Sequence, residues 1–139
     1  MIEIYRHELT VTPDQIDRWG HVNNRAYLKW MEEAAVDHSS ANDWPPQRYA
    51  DLGRGWVARS HFIEYLKPAF VGDEIVVHTW VADFQRVTSR RRYRIERLAD
   101  QAILAKAETN WAFVNLDTFT LTRIPPEVGE CFPIVPDDA

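Results

Sequence analysis

The sequence has one cysteine, Cys131, which excludes an internal disulfide and a cysteine-ligated metal cluster. No apolar run approaches the ~18 residues of a membrane span. The opening Met1-Ile2-Glu3-Ile4-Tyr5 lacks the basic-then-apolar form of a signal peptide. A cytoplasmic protein in a reducing compartment, with no membrane partner, is the expectation. There is no G-x-S-x-G elbow, no phosphate-binding P-loop and no G-x-G-x-x-G turn. The five histidines (7, 21, 38, 61 and 78) are scattered without zinc-type spacing. Neither a metal nor an organic cofactor is expected. Cys131 lies in a proline-rich tail with no evident base beside it, so it does not read as a nucleophile.

What is present suits a single globular domain over residues 1–139. Apolar residues make up 45% of the chain and charged residues 27%, ordinary usage for a chain that buries a core. The formal charge is −5, which disfavours nucleic acid as a partner. That charge is uneven, because residues 86–97 hold six arginines against the one acid Glu96. Such a run reads either as a solvated, aggregation-resistant edge strand or as a phosphate site for a small polyanion.

The periodicity changes along the chain. Residues 2–11 read as a strand and 12–22 as a loop. Asn23 or Asn24 can cap a helix whose apolar stripe runs through Tyr27, Trp30, Met31, Ala34, His38 and Ala41. Pro45-Pro46 should end it. Residues 47–55 read as a connector. Twofold alternation then predicts strands at about 56–66, 74–84, 88–98 and 102–115. From Arg123 on, four prolines and Gly129 predict an extended tail with an acidic end. One long helix against consecutive antiparallel strands is an α+β architecture of about five strands. The strand at 74–84 is apolar on both faces, which points to a homo-oligomer, with a symmetric dimer as the simplest unit.

The segment Asp17-Arg18-Trp19-Gly20-His21-Val22-Asn23-Asn24 could carry chemistry. A carboxylate in a loop precedes a helix start whose free N–H groups can hold an oxyanion. Asp17 could then attack an acyl group or activate water while those N–H groups hold the developing charge. The same residues also suit a plain turn and cap. His38, on the apolar stripe, reads as a core histidine.

The run Asp17-x-x-Gly20-His21-Val22-Asn23-Asn24-x-x-Tyr27-x-x-Trp30-x-Glu32-x-Ala34 resembles hotdog-fold acyl-CoA thioesterases of the 4-hydroxybenzoyl-CoA thioesterase class. Tyr65-Leu66-Lys67-Pro68-Ala69-x-x-Gly72-Asp73-Glu74-Ile75 and the strand order are also similar to that family. A similar His-Val-Asn-Asn-x-x-Tyr-x-x-Trp run stands in plant acyl-carrier-protein thioesterases, which have an asparagine where this chain has Trp19. The resemblance implies a hotdog fold, in which an antiparallel sheet wraps one long helix, and a homodimer or homotetramer with sites at the dimer interface. It implies Asp17 as nucleophile or general base, the backbone N–H near Asn24 as carbonyl polariser, and His21 and Asn23 as positioning groups. Arg86, Ser89 and Arg90 fall where related enzymes meet coenzyme A phosphates. The aromatic set Trp19, Tyr27, Trp56, Phe62 and Tyr65 could wall an acyl pocket. The expected activity is metal-independent hydrolysis of an acyl-CoA substrate. The alternatives are an acyl-carrier-protein thioesterase and a non-catalytic acyl-CoA binding module.

Overall fold

The computed structural model describes residues 1–136. The strands are β1 (Tyr5–Thr10), β2 (Arg54–Tyr65), β3 (Glu74–Phe84), β4 (Thr88–Arg97) and β5 (Ile103–Asn115). The helices are α1 (Asn24–Ala41), α2 (Pro46–Leu52) and α3 (Pro126–Gly129). The five strands form one sheet in the order β1-β3-β4-β5-β2, antiparallel throughout. With α1 on the inner face, this is the hotdog arrangement that the motifs implied.

Asn23 starts α1 because its Oδ1 accepts from Ala26 N at 2.9 Å, a cap worth ~1 kcal/mol. The predicted stripe is the buried face except at its last residue: Tyr27, Trp30, Met31, Ala34 and His38 are each at most 3% exposed, while Ala41, at the end of the helix, is exposed. Tyr27, Trp30, Met31 and Ala34 pack on inward residues of the sheet, including Ile75, Val77, Tyr93, Ile95 and Ala105. Among the described residues no helix is long and apolar enough to cross a membrane.

Three local expectations are corrected. The connector at 47–55 contains α2, because Pro46 opens a helix well and Gly53 ends it at φ 75°. The tail is not simply extended. It forms α3, buries Val128 and Phe132, and bridges Ile134 to Val81; its acidic end, residues 137–139, lies outside the described residues. The arginine-rich strand is no edge, for β4 lies between β3 and β5. The open edges are β1 and β2.

The outer face of β3 also proves to be covered within the chain. Val76 is 1% and Trp80 6% exposed, and the Arg94 guanidinium lies 5.8 Å from the Trp80 ring centre. Arginine stems cover apolar surface while their heads stay wet. The apolarity of β3 therefore needs no partner to explain it.

Candidate active site

Residues 16–24 are held by backbone bonds. Ile16 and Val22 form an antiparallel bridge. Within it Asp17 N donates to His21 O at 2.9 Å and Gly20 N to Asp17 O at 3.1 Å. Gly20 has φ 88°, a left-handed conformation that favours glycine. Val22 N donates to Ala69 O at 2.9 Å, tying this loop to the turn before β3. That turn is pinned in its own right: Phe70 N donates to Asp73 Oδ2, and Arg97 reaches Asp73 and the Pro68 carbonyl. The two motif segments of the sequence thus meet at the start of α1.

Asp17 and His21 are together. Asp17 Oδ2 lies 3.6 Å from His21 Nδ1, and Asp17 Oδ1 accepts from Trp19 N at 2.8 Å. Asn23 spends its side chain on the helix cap. The N–H groups of Asn24 and Arg25 have no acceptor among the described residues. These are the two donors best placed to receive an oxyanion. A cavity of about 340 Å³ opens beside them, lined by His21, Asn24, Tyr27, Tyr65, Lys67 and neighbouring residues. Asp17 is not among its lining residues. Tyr27 and Tyr65 meet edge to face, with ring centres 5.1 Å apart. Burial pushes the Tyr27 phenol up to about 12 and raises that of Tyr65.

The arginine-side candidates are dispersed. Arg86 is exposed in the β3–β4 turn. Ser89 is buried, and its Oγ donates to Asp83 O at 2.8 Å. Arg90 points to the opposite face and pairs with Asp83 at 2.8 Å and Glu108 at 3.4 Å. This hairpin stands at the far end of β3 from the Asp17 loop. The 11 residues of β3 span about 35 Å, so one chain does not bring residues 17–24 and 86–90 together. The aromatic set divides too. Tyr27 and Tyr65 line the helix-start cavity, while Trp56 lines another at the opposite end of α1. Trp19 and Phe62 are 77% and 68% exposed.

A buried polar cluster was not anticipated. Arg91 is 6% exposed on the inner face of β4. Its Nη1 donates to His38 Nδ1 at 2.9 Å and to Thr79 Oγ1 at 3.1 Å. With Nδ1 accepting, His38 carries its proton on Nε2, which donates to Ile2 O at 2.7 Å. Burial, and then the Arg91 charge, push His38 down to about 4. Burial also lowers the pKa of Arg91. Asn42, just past α1, uses its amide to bind Ile2 N, Ile2 O and Cys131 O, and so fastens both ends of the chain to the helix. A signal for Arg91 existed in the sequence, since it alternates in phase with Tyr93 and Ile95 on the apolar face of its strand.

Comparison with known proteins agrees with this fold. The family model described as thioesterase-like superfamily matches residues 11–132. Oleoyl-acyl carrier protein thioesterase 2, chloroplastic, of Arabidopsis thaliana is 32% identical over 76 residues, 54% of this chain. The chain spans only 20% of that relative's length. A 1,4-dihydroxy-2-naphthoyl-CoA thioesterase from Synechocystis superposes with a TM-score of 0.84 at 19% identity, covering 92% of this chain and 94% of that one. A Staphylococcus aureus protein solved in complex with CoA gives 0.85 at 17% identity, covering 94% and 83%.

Proposed function

The chain belongs to the thioesterase-like superfamily, and on that premise we propose that it hydrolyses an acyl-CoA thioester to a free acid and coenzyme A. The observation that carries this reading is a helix start that leaves two N–H donors unused, preceded by a loop that holds the Asp17 carboxylate beside His21. In the proposed reaction the thioester carbonyl sits against the N–H groups of Asn24 and Arg25. They stabilise the negative charge that develops on its oxygen. As general base Asp17 takes a proton from the attacking water; as nucleophile it forms a mixed anhydride that water then hydrolyses; on either route the thiolate of coenzyme A leaves, and no metal is required. His21, whose Nδ1 donates to Val22 O, stands beside the Asp17 carboxylate as a positioning group, and Asn23 fixes the helix start. The resemblance of the motif, the Synechocystis enzyme's acyl-CoA substrate and the CoA complex of the Staphylococcus protein all support coenzyme A as the thiol.

The proposed site is completed by a second copy. β2 is a 12-residue open edge, and its residues 58–62 are all exposed. An unpaired edge of that length is a template for another strand. Twofold antiparallel pairing there would set the Asp17 loop of one copy at the same end of the joined sheet as the β3–β4 turn of the other. Arg86, whose side chain has no partner among the described residues, would then meet the nucleotide phosphates, with Arg90 behind it. Ser89 faces inward and serves packing in this arrangement. A cytoplasmic homodimer, or a tetramer built from it, is part of the proposal.

A second reading is favoured by the curated relatives, whose names specify acyl carrier protein. Thiol release from acyl-CoAs and from the same acyl groups on carrier protein, measured side by side, tests both. Faster turnover of the CoA esters supports the first reading. Preference for the carrier moves the assignment to the second, and binding without turnover of either contradicts both.

A further inference from the structure

The C-terminal half of α1, α2, the inner face of the sheet and the chain's tail enclose a cavity of about 320 Å³. Its walls are mainly apolar, with Trp44, Trp56, Phe84, Trp111 and Phe132 among them. Val36 and Ala50 stand at its rim, both exposed. One charged residue, Arg91, is among its lining residues. Its lining residues Ala35, Val36 and Ser39 lie 11–15 positions beyond Asn24 on α1, roughly 16–23 Å along the helix. Within one chain it is therefore separate from the cavity at the start of α1.

The bonding of Arg91 is incomplete. Nη1 uses its two protons on His38 and Thr79. Nε and Nη2, with three more protons, donate to no acceptor among the described residues. No carboxylate pairs with Arg91 among those residues, although Arg90, Arg92, Arg94 and Arg97 all have carboxylate partners. Its neighbours cannot supply the missing charge: from α1 comes a neutral His38, from β3 the Thr79 hydroxyl, and near it the phenols of Tyr93 and Tyr49. A buried cation is normally paired, because burial removes its hydration. Nε and Nη2 together form the planar fork that matches a carboxylate bidentately.

We propose that this cavity is a binding site for a compact apolar carboxylate, its hydrocarbon body among the apolar walls and its carboxylate on the Arg91 fork. The volume lies in the range of small-molecule pockets, ~300–1,000 Å³, and suits a medium alkyl chain or a fused aromatic pair. The carboxylate supplies the charge and the acceptors that the chain itself leaves out.

Trp44, Trp56 and Trp111 line the cavity, so tryptophan fluorescence reports occupancy. The probes are octanoate and 1-naphthoate against octanamide and 1-naphthamide. Expected is saturable binding of at least one acid, with its amide at least ~10-fold weaker. Arg91→Gln should weaken the acid by a similar factor and leave the amide unchanged. Val36→Trp, at the exposed rim, should block both and tests the site even if Arg91→Gln does not fold. Displacement of octanoate by suberoyl-CoA but not by octanoyl-CoA supports the proposal and identifies an acyl group's far carboxylate as the source. Displacement by neither supports it with the free acid as the source. Acid and amide binding alike, binding indifferent to Val36→Trp, or no binding of either acid overturns it. Asp17→Asn leaves acid binding intact, so a failure of the thioesterase reading shows separately in turnover.

Discussion

His38 Nδ1 accepts a 2.9 Å hydrogen bond from Arg91 Nη1, and this one contact fixes the histidine as the neutral, Nε2-protonated form in the middle of the core. Protonation of His38 would place a second cation against a guanidinium that has no carboxylate partner among the described residues.

The folded-state value of His38, about 4, lies below its ordinary 6.5. Between those values the unfolded chain binds the proton and the folded chain does not, so stability rises with pH there and is lost as pH falls. The expected loss between about pH 6.5 and 4 is on the order of 2–3 kcal/mol. Burial lowers His78 as well, and it contributes in the same direction. Urea titrations at several pH values check this. His38→Gln should flatten most of the slope, and an unchanged slope would show that the buried histidine is not its source.

Asn23→Ala removes the cap bond to Ala26 N. Thermal unfolding should show a loss of ~1 kcal/mol. Turnover should fall by more than stability explains, because the same residue sets the direction of the Asn24 and Arg25 N–H groups. A variant with full activity per folded molecule would remove Asn23 from the account of the site.

Arg86→Ala should raise KM for acyl-CoA about tenfold with little change in kcat, and leave a truncated pantetheine ester unaffected. Equal losses on both esters would sink the phosphate assignment.

The open β2 edge predicts that the 16.3 kDa chain sediments as a multiple of that mass. Arg59 sits at the β2 bulge and has no register partner on β5. Arg59→Pro should spoil edge pairing between copies while sparing the chain's own sheet. Monomer formation and loss of turnover are expected together. A fully active monomer would contradict a site shared between copies.

Much of the fold was legible because its signals are local. The stripe from Tyr27 to His38, the twofold alternation of β5 and the Asn23 cap each depend on a few neighbouring residues. α2 was missed because its seven residues bury mainly Tyr49, too few for a periodicity to stand out. The interior position of β4 was missed because six arginines look solvated in one dimension. In the sheet, four of them alternate: Arg90, Arg92 and Arg94 face outward, where acids on β3, β4 and β5 meet them, while Arg91 turns inward. Strand order is a long-range property, and the local pattern does not carry it. The Asp17 loop was legible as a motif, but its distance from the 86–90 turn depends on which ends of β3 they occupy.

The central claim is tested most directly by thiol release from a panel of acyl-CoAs, short, long, branched and aromatic, with wild type and Asp17→Asn measured in parallel. The account predicts turnover by wild type on at least one ester, and a fall in kcat on the order of 10²–10⁴ in the variant. A loss below about fivefold in a folded variant would contradict a chemical role for Asp17.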